Sequence, residues 1–68
     1  MNEIKLSFKK EGAEDYFILT NNPTEYTGKI RYLGRLMHTV QRRFNLNNTE
    51  AEKLQHQIIH HYLGWRKK

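Results

Sequence analysis

The period of hydrophobic and polar positions changes along the chain, and each change predicts an element. In "EIKLSFKK", Ile4, Leu6 and Phe8 alternate with Lys5, Ser7 and Lys9, the period of two that marks a half-buried strand. "EGAED" is turn chemistry around Gly12, and "YFILT", short, β-branched and aromatic, returns as a second strand. The prediction is a β-hairpin over about residues 2–20. A lone hairpin is marginal in water, so its apolar face has to be covered by the remainder of the chain or by a second copy.

The period then lengthens. Tyr26, Ile30, Leu33, Met37, Val40 and Phe44 recur at spacings of 4, 3, 4, 3 and 4, with Tyr32 and Leu36 beside them, which is the apolar seam of an amphipathic helix. Asn22 is a candidate cap, Pro23 suits the first helical position and Glu25 sits where a capping box wants an acid. The helix is therefore expected over about residues 23–44, or from near Lys29 if Gly28 breaks its first turn. Gly28 and Gly34 each weaken it by about 1 kcal/mol relative to alanine, as tolerated weak spots or as points of close backbone approach. Past the break "NLNNTE", Thr49 and Glu52 form a capping box, and Ala51, Leu54, Ile58, Tyr62 and Trp65 form a second seam. That helix is expected over about residues 49–63, stopped by a left-handed Gly64 with Trp65 folded back on the last turn and a basic tail at 64–68. The short loop makes the two helices antiparallel neighbours. The expected fold is α+β, a single small domain of residues 1–68 in the order ββαα.

Composition narrows the class. At 68 residues the chain is close to the lower limit for an unaided hydrophobic core, and without cysteine it has neither disulfides nor thiolate metal sites to help. Apolar residues at 37% with charges of mixed sign argue against wholesale disorder. No apolar run reaches membrane-span length, and the start lacks the apolar core of a signal peptide, so a cytoplasmic protein with no membrane partner is expected. Residues 1–23 carry three lysines against four acids, a net of −1, whereas residues 24–68 carry nine lysines and arginines against three acids, a net of +6. Basic character thus belongs to the C-terminal two-thirds and points to an anionic partner.

On a helical projection Arg31, Arg35, His38 and Arg42 fall within about 60° of one another, nearly opposite the apolar seam. Their spacing would let them follow a phosphate backbone over roughly 16 Å. Tyr32 and Arg43 lie to one side, an aromatic and a cation suited to stacking on a base or ribose, and Arg66, Lys67 and Lys68 add tail charge. A merely solvated helix face would also be polar, and basic residues suit the end of a helix. Against that, no acid occurs from Thr27 to Asn48 to pair with these cations.

Other chemistries find less support. His56 and His60 have the spacing of a helical zinc pair, but further ligands are missing, so no metal and no cofactor are expected. Ser7 is the only serine and lies in a strand, no phosphate-binding glycine loop exists, and the acids are scattered, so no catalytic residue and no enzyme are expected. Two readings remain. One is a small basic nucleic-acid-binding or regulatory module that contacts the backbone of DNA or RNA through the arginine stripe. Within it, Lys5, Ser7 and Lys9 offer a variant as an outward β-ribbon. The other is a protein-interaction module, an inhibitor or adaptor docking an acidic surface, which would also use Leu36, Ile59, Leu63 and one hairpin face. Because so short a chain buries little, a homodimer joined by strands or helix faces is expected under either reading.

Overall fold

The computed structural model describes residues 3–67. The α+β expectation holds, with one strand more than the periodicity indicates. Strands β1 (Lys5–Glu11), β2 (Glu14–Asn21) and β3 (Thr24–Lys29) form an antiparallel sheet in the order β1-β2-β3. A 3-10 turn at Ile30–Tyr32 leads into helix α1 (Leu33–Arg43), and helix α2 (Asn48–Arg66) completes the chain.

The first connection is the predicted tight turn. Glu11 pairs with Glu14, so Gly12 and Ala13 make a two-residue loop, and Gly12 takes φ 63° while Ala13 does not, the type II′ pattern that matches strand twist. The second connection corrects the expected helix start. Asn21 pairs with Thr24, so Asn22 and Pro23, joined by a cis peptide, are a hairpin loop and not a helix cap. Glu25 then lies inside β3. The segment "TEYTGK" alternates as cleanly as β1: Tyr26 and Gly28 face the core, while Glu25, Thr27 and Lys29 are exposed. Turn residues before a β-branched, aromatic stretch outweigh a helical spacing that Tyr26 and Ile30 satisfy by coincidence.

Strand register puts Leu6 and Phe8, Phe17 and Leu19, and Tyr26 and Gly28 on one face. Both helices cover that face. Phe17 and Leu19 are completely buried, with Leu33, Met37, Val40 and Phe44 from α1 and its end, and Ala51, Leu54 and Ile58 from α2. α1 lies along β3 and α2 along β1. Side chains close over Gly28, where a Cβ would stand 2.6 Å from Leu36 Cδ1 of α1 and 3.0 Å from Phe17 Cζ of β2. Gly28 thus lies in a strand under packed side chains and not in the helix, and Gly34 has open space around it.

α1 ends at the asparagine-rich break, as predicted. Asn45 takes φ 56°, its N–H donates to Arg42 O, and the Leu46 N–H donates to Gln41 O, which is a Schellman ending with asparagine in the left-handed position. Asn47, extended at φ −81° and ψ 176°, then caps α2: it accepts from the Glu50 N–H while Glu50 accepts from the Asn47 N–H. The capping box thus lies two residues before the expected Thr49–Glu52 pair. Gly64 does not stop α2, which runs on to Arg66. Trp65 holds the last turn instead, its ring 5.5 Å from Phe8 and 6.0 Å from Tyr62. The expected basic tail is mostly helix; Lys68 lies outside the described residues.

Candidate functional site

Division of the chain into a sheet layer and a helix layer separates its charge. Through Lys29 there are four lysines against five acids, a net of −1. From Ile30 through Lys67 there are seven lysines and arginines against Glu50 and Glu52, a net of +5. Ion pairing draws its acids from one side of that division only. The ion pairs among the described residues are Lys9–Glu11 at 3.3 Å, Lys10–Asp15 at 3.7 Å and Arg31–Glu14 at 3.1 Å, and every acid in them belongs to the sheet.

The predicted arginine stripe divides at its first member. Arg31 lies in the 3-10 turn, not in α1, and its Nε donates to Glu14 Oε2. The nearby carboxylate, followed by Tyr32, raises the guanidinium pKa further above its ordinary value. An absence of acids along the helix does not reveal this partner, because Glu14 is 17 residues away at the start of β2. Arg35, His38 and Arg42 remain together on the face of α1 opposite Val40, all exposed. Among the described residues no carboxylate lies within ion-pair distance of Arg35 or Arg42.

The flanking residues are held apart, Tyr32 in the 3-10 turn and Arg43 at the end of α1. Tyr32 is 42% exposed, and the Arg31 and Arg35 guanidiniums each stand 6.0 Å from its ring centroid. Arg43 reaches toward β3 and lies over Tyr26 at 5.3 Å. A ring face attracts a cation without cancelling its charge, so Arg35 and Arg43 keep theirs. Arg66 lies 5.9 Å over the Tyr62 ring, and Tyr62 lines a shallow pocket of about 310 Å³ with Arg31, so the end of α2 stands beside the start of the stripe. Lys67 is the exposed C-cap of α2.

Comparison of the chain with protein-family models, curated proteins and solved structures finds no match. What the site can do therefore rests on its own residues.

One feature escapes a reading of the sequence. The Tyr62 hydroxyl donates to Asp15 Oδ2 at 2.6 Å, joining α2 to the sheet. That hydrogen bond, with burial and the carboxylate charge, pushes the Tyr62 pKa up. Asp15 Oδ1 is buried without a hydrogen-bond partner, and Lys10 at 3.7 Å supplies only Coulombic attraction. Glu14 and Asp15, turn residues by sequence, are thus the two acids that tie the hairpin to the helical side. The open sheet face carries Lys5, Ser7 and Lys9, outward as their alternation implies, with Tyr16, Ile18 and Lys29 beside them; Lys9 is drawn to Glu11 and to the Tyr16 ring at 5.3 Å.

The four histidines all lie on helices and are exposed, and His60 and His61 stand with ring centroids 5.8 Å apart. Among the described residues no helix is long and apolar enough to cross a membrane.

Proposed function

We propose that the helix layer binds the phosphate backbone of a nucleic acid, with Arg35 and Arg42 as the principal phosphate contacts, and that the protein acts as a small nucleic-acid-binding or regulatory module. Its support is the charge separation: Glu11, Glu14 and Asp15 of the first hairpin are engaged with cations or hydrogen bonds, and Arg35 and Arg42 face outward with no carboxylate nearby among the described residues. Arginines on one helix face, with a histidine between them, offer forked donors along the line of a phosphate backbone, and each such contact releases counterions. His38 is that intervening residue. Arg43, Arg66 and Lys67 extend the field at the two ends, and Tyr32 offers an exposed ring at its margin. Arg31 contributes less than the stripe implies, because Glu14 already holds it.

The test is binding of labelled duplex DNA, single-stranded DNA and RNA in parallel at two ionic strengths. Micromolar or tighter binding at low salt that weakens steeply at higher salt is expected for at least one of them. Binding to none, or binding indifferent to salt, would overturn the proposal.

A second reading has one observation in its favour. Ile59 and Leu63, one helical turn apart on α2, are 43% and 53% exposed. An apolar pair of that kind beside cations suits an acidic protein surface. Under that reading Leu63→Asp would abolish partner binding, whereas nucleic-acid binding would keep most of its strength.

A further inference from the structure

β1 is an edge strand seven residues long, and its outer N–H and C=O groups have no strand partner within the described residues. Beside it runs a groove of about 770 Å³ between β1 and α2, lined by Leu6, Phe8, Leu54, His61, Gly64 and Trp65 among others. We propose that this edge pairs antiparallel with β1 of a second copy, across a two-fold axis at Phe8, to make a continuous six-stranded sheet.

Register and charge carry the proposal. A two-fold axis perpendicular to the sheet keeps each side chain on its own face, so only residues an even number apart can oppose one another. Phe8 is the middle residue of Lys5–Glu11, and the register centred on it pairs the whole strand. That register places Lys5 of each copy opposite Glu11 of the other, twice over, and opposite charges directly across strands are favourable. Within one copy Glu11 faces Glu14, and Lys9 and Arg31 already compensate the two carboxylates, so Lys5 of the second copy would add a second cation beside Glu11. Centring on Ser7 would oppose Lys5 to Lys9, and centring on Lys9 would oppose it to itself. The other sheet edge is a poorer candidate, because β3 has six residues and no central one, and Arg43 reaches across to its Tyr26.

The groove is consistent with the same occupant. Paired strands stand about 4.8 Å apart, but packed helices need about 8–10 Å between axes. α2 has to be set back from the sheet edge if both copies are to keep it, and the groove over β1 is that setback. Gly64, which has no atom near the position of a Cβ, keeps the flank low. Pairing covers Leu6, Phe8 and Trp65, which are only partly buried in the single chain.

The test is sedimentation velocity from low to high micromolar, with charge reversals at the paired positions. A reversible monomer–dimer equilibrium is expected. Lys5→Glu and Glu11→Lys should each weaken it by about tenfold or more, and the double reversal should restore it to within a few-fold of wild type. Both side chains are exposed, so circular dichroism should show the fold intact. Because the chain has no cysteine, an equimolar mixture of the Lys5→Cys and Glu11→Cys proteins provides a second measurement: the mixture should cross-link on mild oxidation, and neither protein alone. A wild type that stays monomeric at high micromolar, a double reversal as weak as the single ones, or equal cross-linking by either cysteine variant alone would overturn the proposal. None of these substitutions touches the helix cations, so failure here is separate from failure of nucleic-acid binding.

Discussion

At the hairpin end of the sheet, acids and cations neutralise one another: Glu11 has Lys9, Asp15 has Tyr62 and Lys10, and Glu14 has captured Arg31. On α1, a few residues later in the chain, Arg35 and Arg42 have no carboxylate within reach among the described residues. Exposed pairs such as those on the sheet add little stability, so their main effect is on where charge remains available. The acids discharge one layer and leave the other basic. The contrast also shows why net charge alone is a poor guide, since Arg31 and Arg35 are four residues apart in one stripe and differ in availability.

The two layers meet at Gly28, and the sharpest way to break them apart is to fill it. Gly28→Ala puts a Cβ against Leu36 and fully buried Phe17 and should lower the unfolding free energy by about 1–3 kcal/mol in urea denaturation. Next in size is Tyr62→Phe, which removes the hydrogen bond to Asp15 between α2 and β2 and should cost about 1 kcal/mol or somewhat more near neutral pH. Its pH dependence has a definite sign. The Tyr62 pKa is raised in the folded protein, so the extra stability is complete below the ordinary tyrosine value of 10.0 and is lost as pH rises through the folded value. The difference between wild type and Tyr62→Phe should therefore be constant from about pH 7 to about 9 and shrink in stronger alkali. A difference that grew with alkali would contradict the assignment.

Gly34→Ala is the counterpart to Gly28→Ala. With nothing within 4 Å of the added methyl, it should raise stability by up to about 1 kcal/mol, opposite in sign to the change six residues earlier. The smallest effect on folding is expected from Glu14→Gln, within about 0.5 kcal/mol because the pair is exposed on its Arg31 side. That substitution sharpens the contrast between layers. It frees Arg31, so nucleic-acid affinity should rise a few-fold and its salt dependence steepen.

How far the fold is legible in the sequence depends on the distance over which each feature is determined. Local patterns read correctly: β1, β2, the Gly12 turn, the seam from Leu33 to Phe44 and the seam of α2 are all where alternation or helical spacing places them. β3 escapes because Tyr26 satisfies two periods at once, one shared with Ile30 and one with Gly28. Only pairing with Leu19 and Thr20 of β2 decides between them. The α2 cap lies at Asn47 because "NNTEAE" contains more than one acid three residues after a capping side chain, and the Schellman ending at Asn45 leaves Asn47 extended. Gly64 resembles a stop but is not one, because contact of Trp65 with Phe8, 57 positions away in sequence, holds the last turn. The position of the stripe is legible, but the availability of its members is not, since Glu14 and Arg31 are brought together only by the fold.

The most direct test is the salt dependence of duplex binding for wild type and for Arg35→Ala/Arg42→Ala, both exposed substitutions that leave the core untouched. If each arginine neutralises one phosphate, the slope of log affinity against log salt should become shallower by about 0.9 per arginine in the double variant, with affinity reduced across all sequences alike. An unchanged slope, in a variant shown to be folded, would contradict the proposal that the uncompensated face of α1 binds nucleic acid.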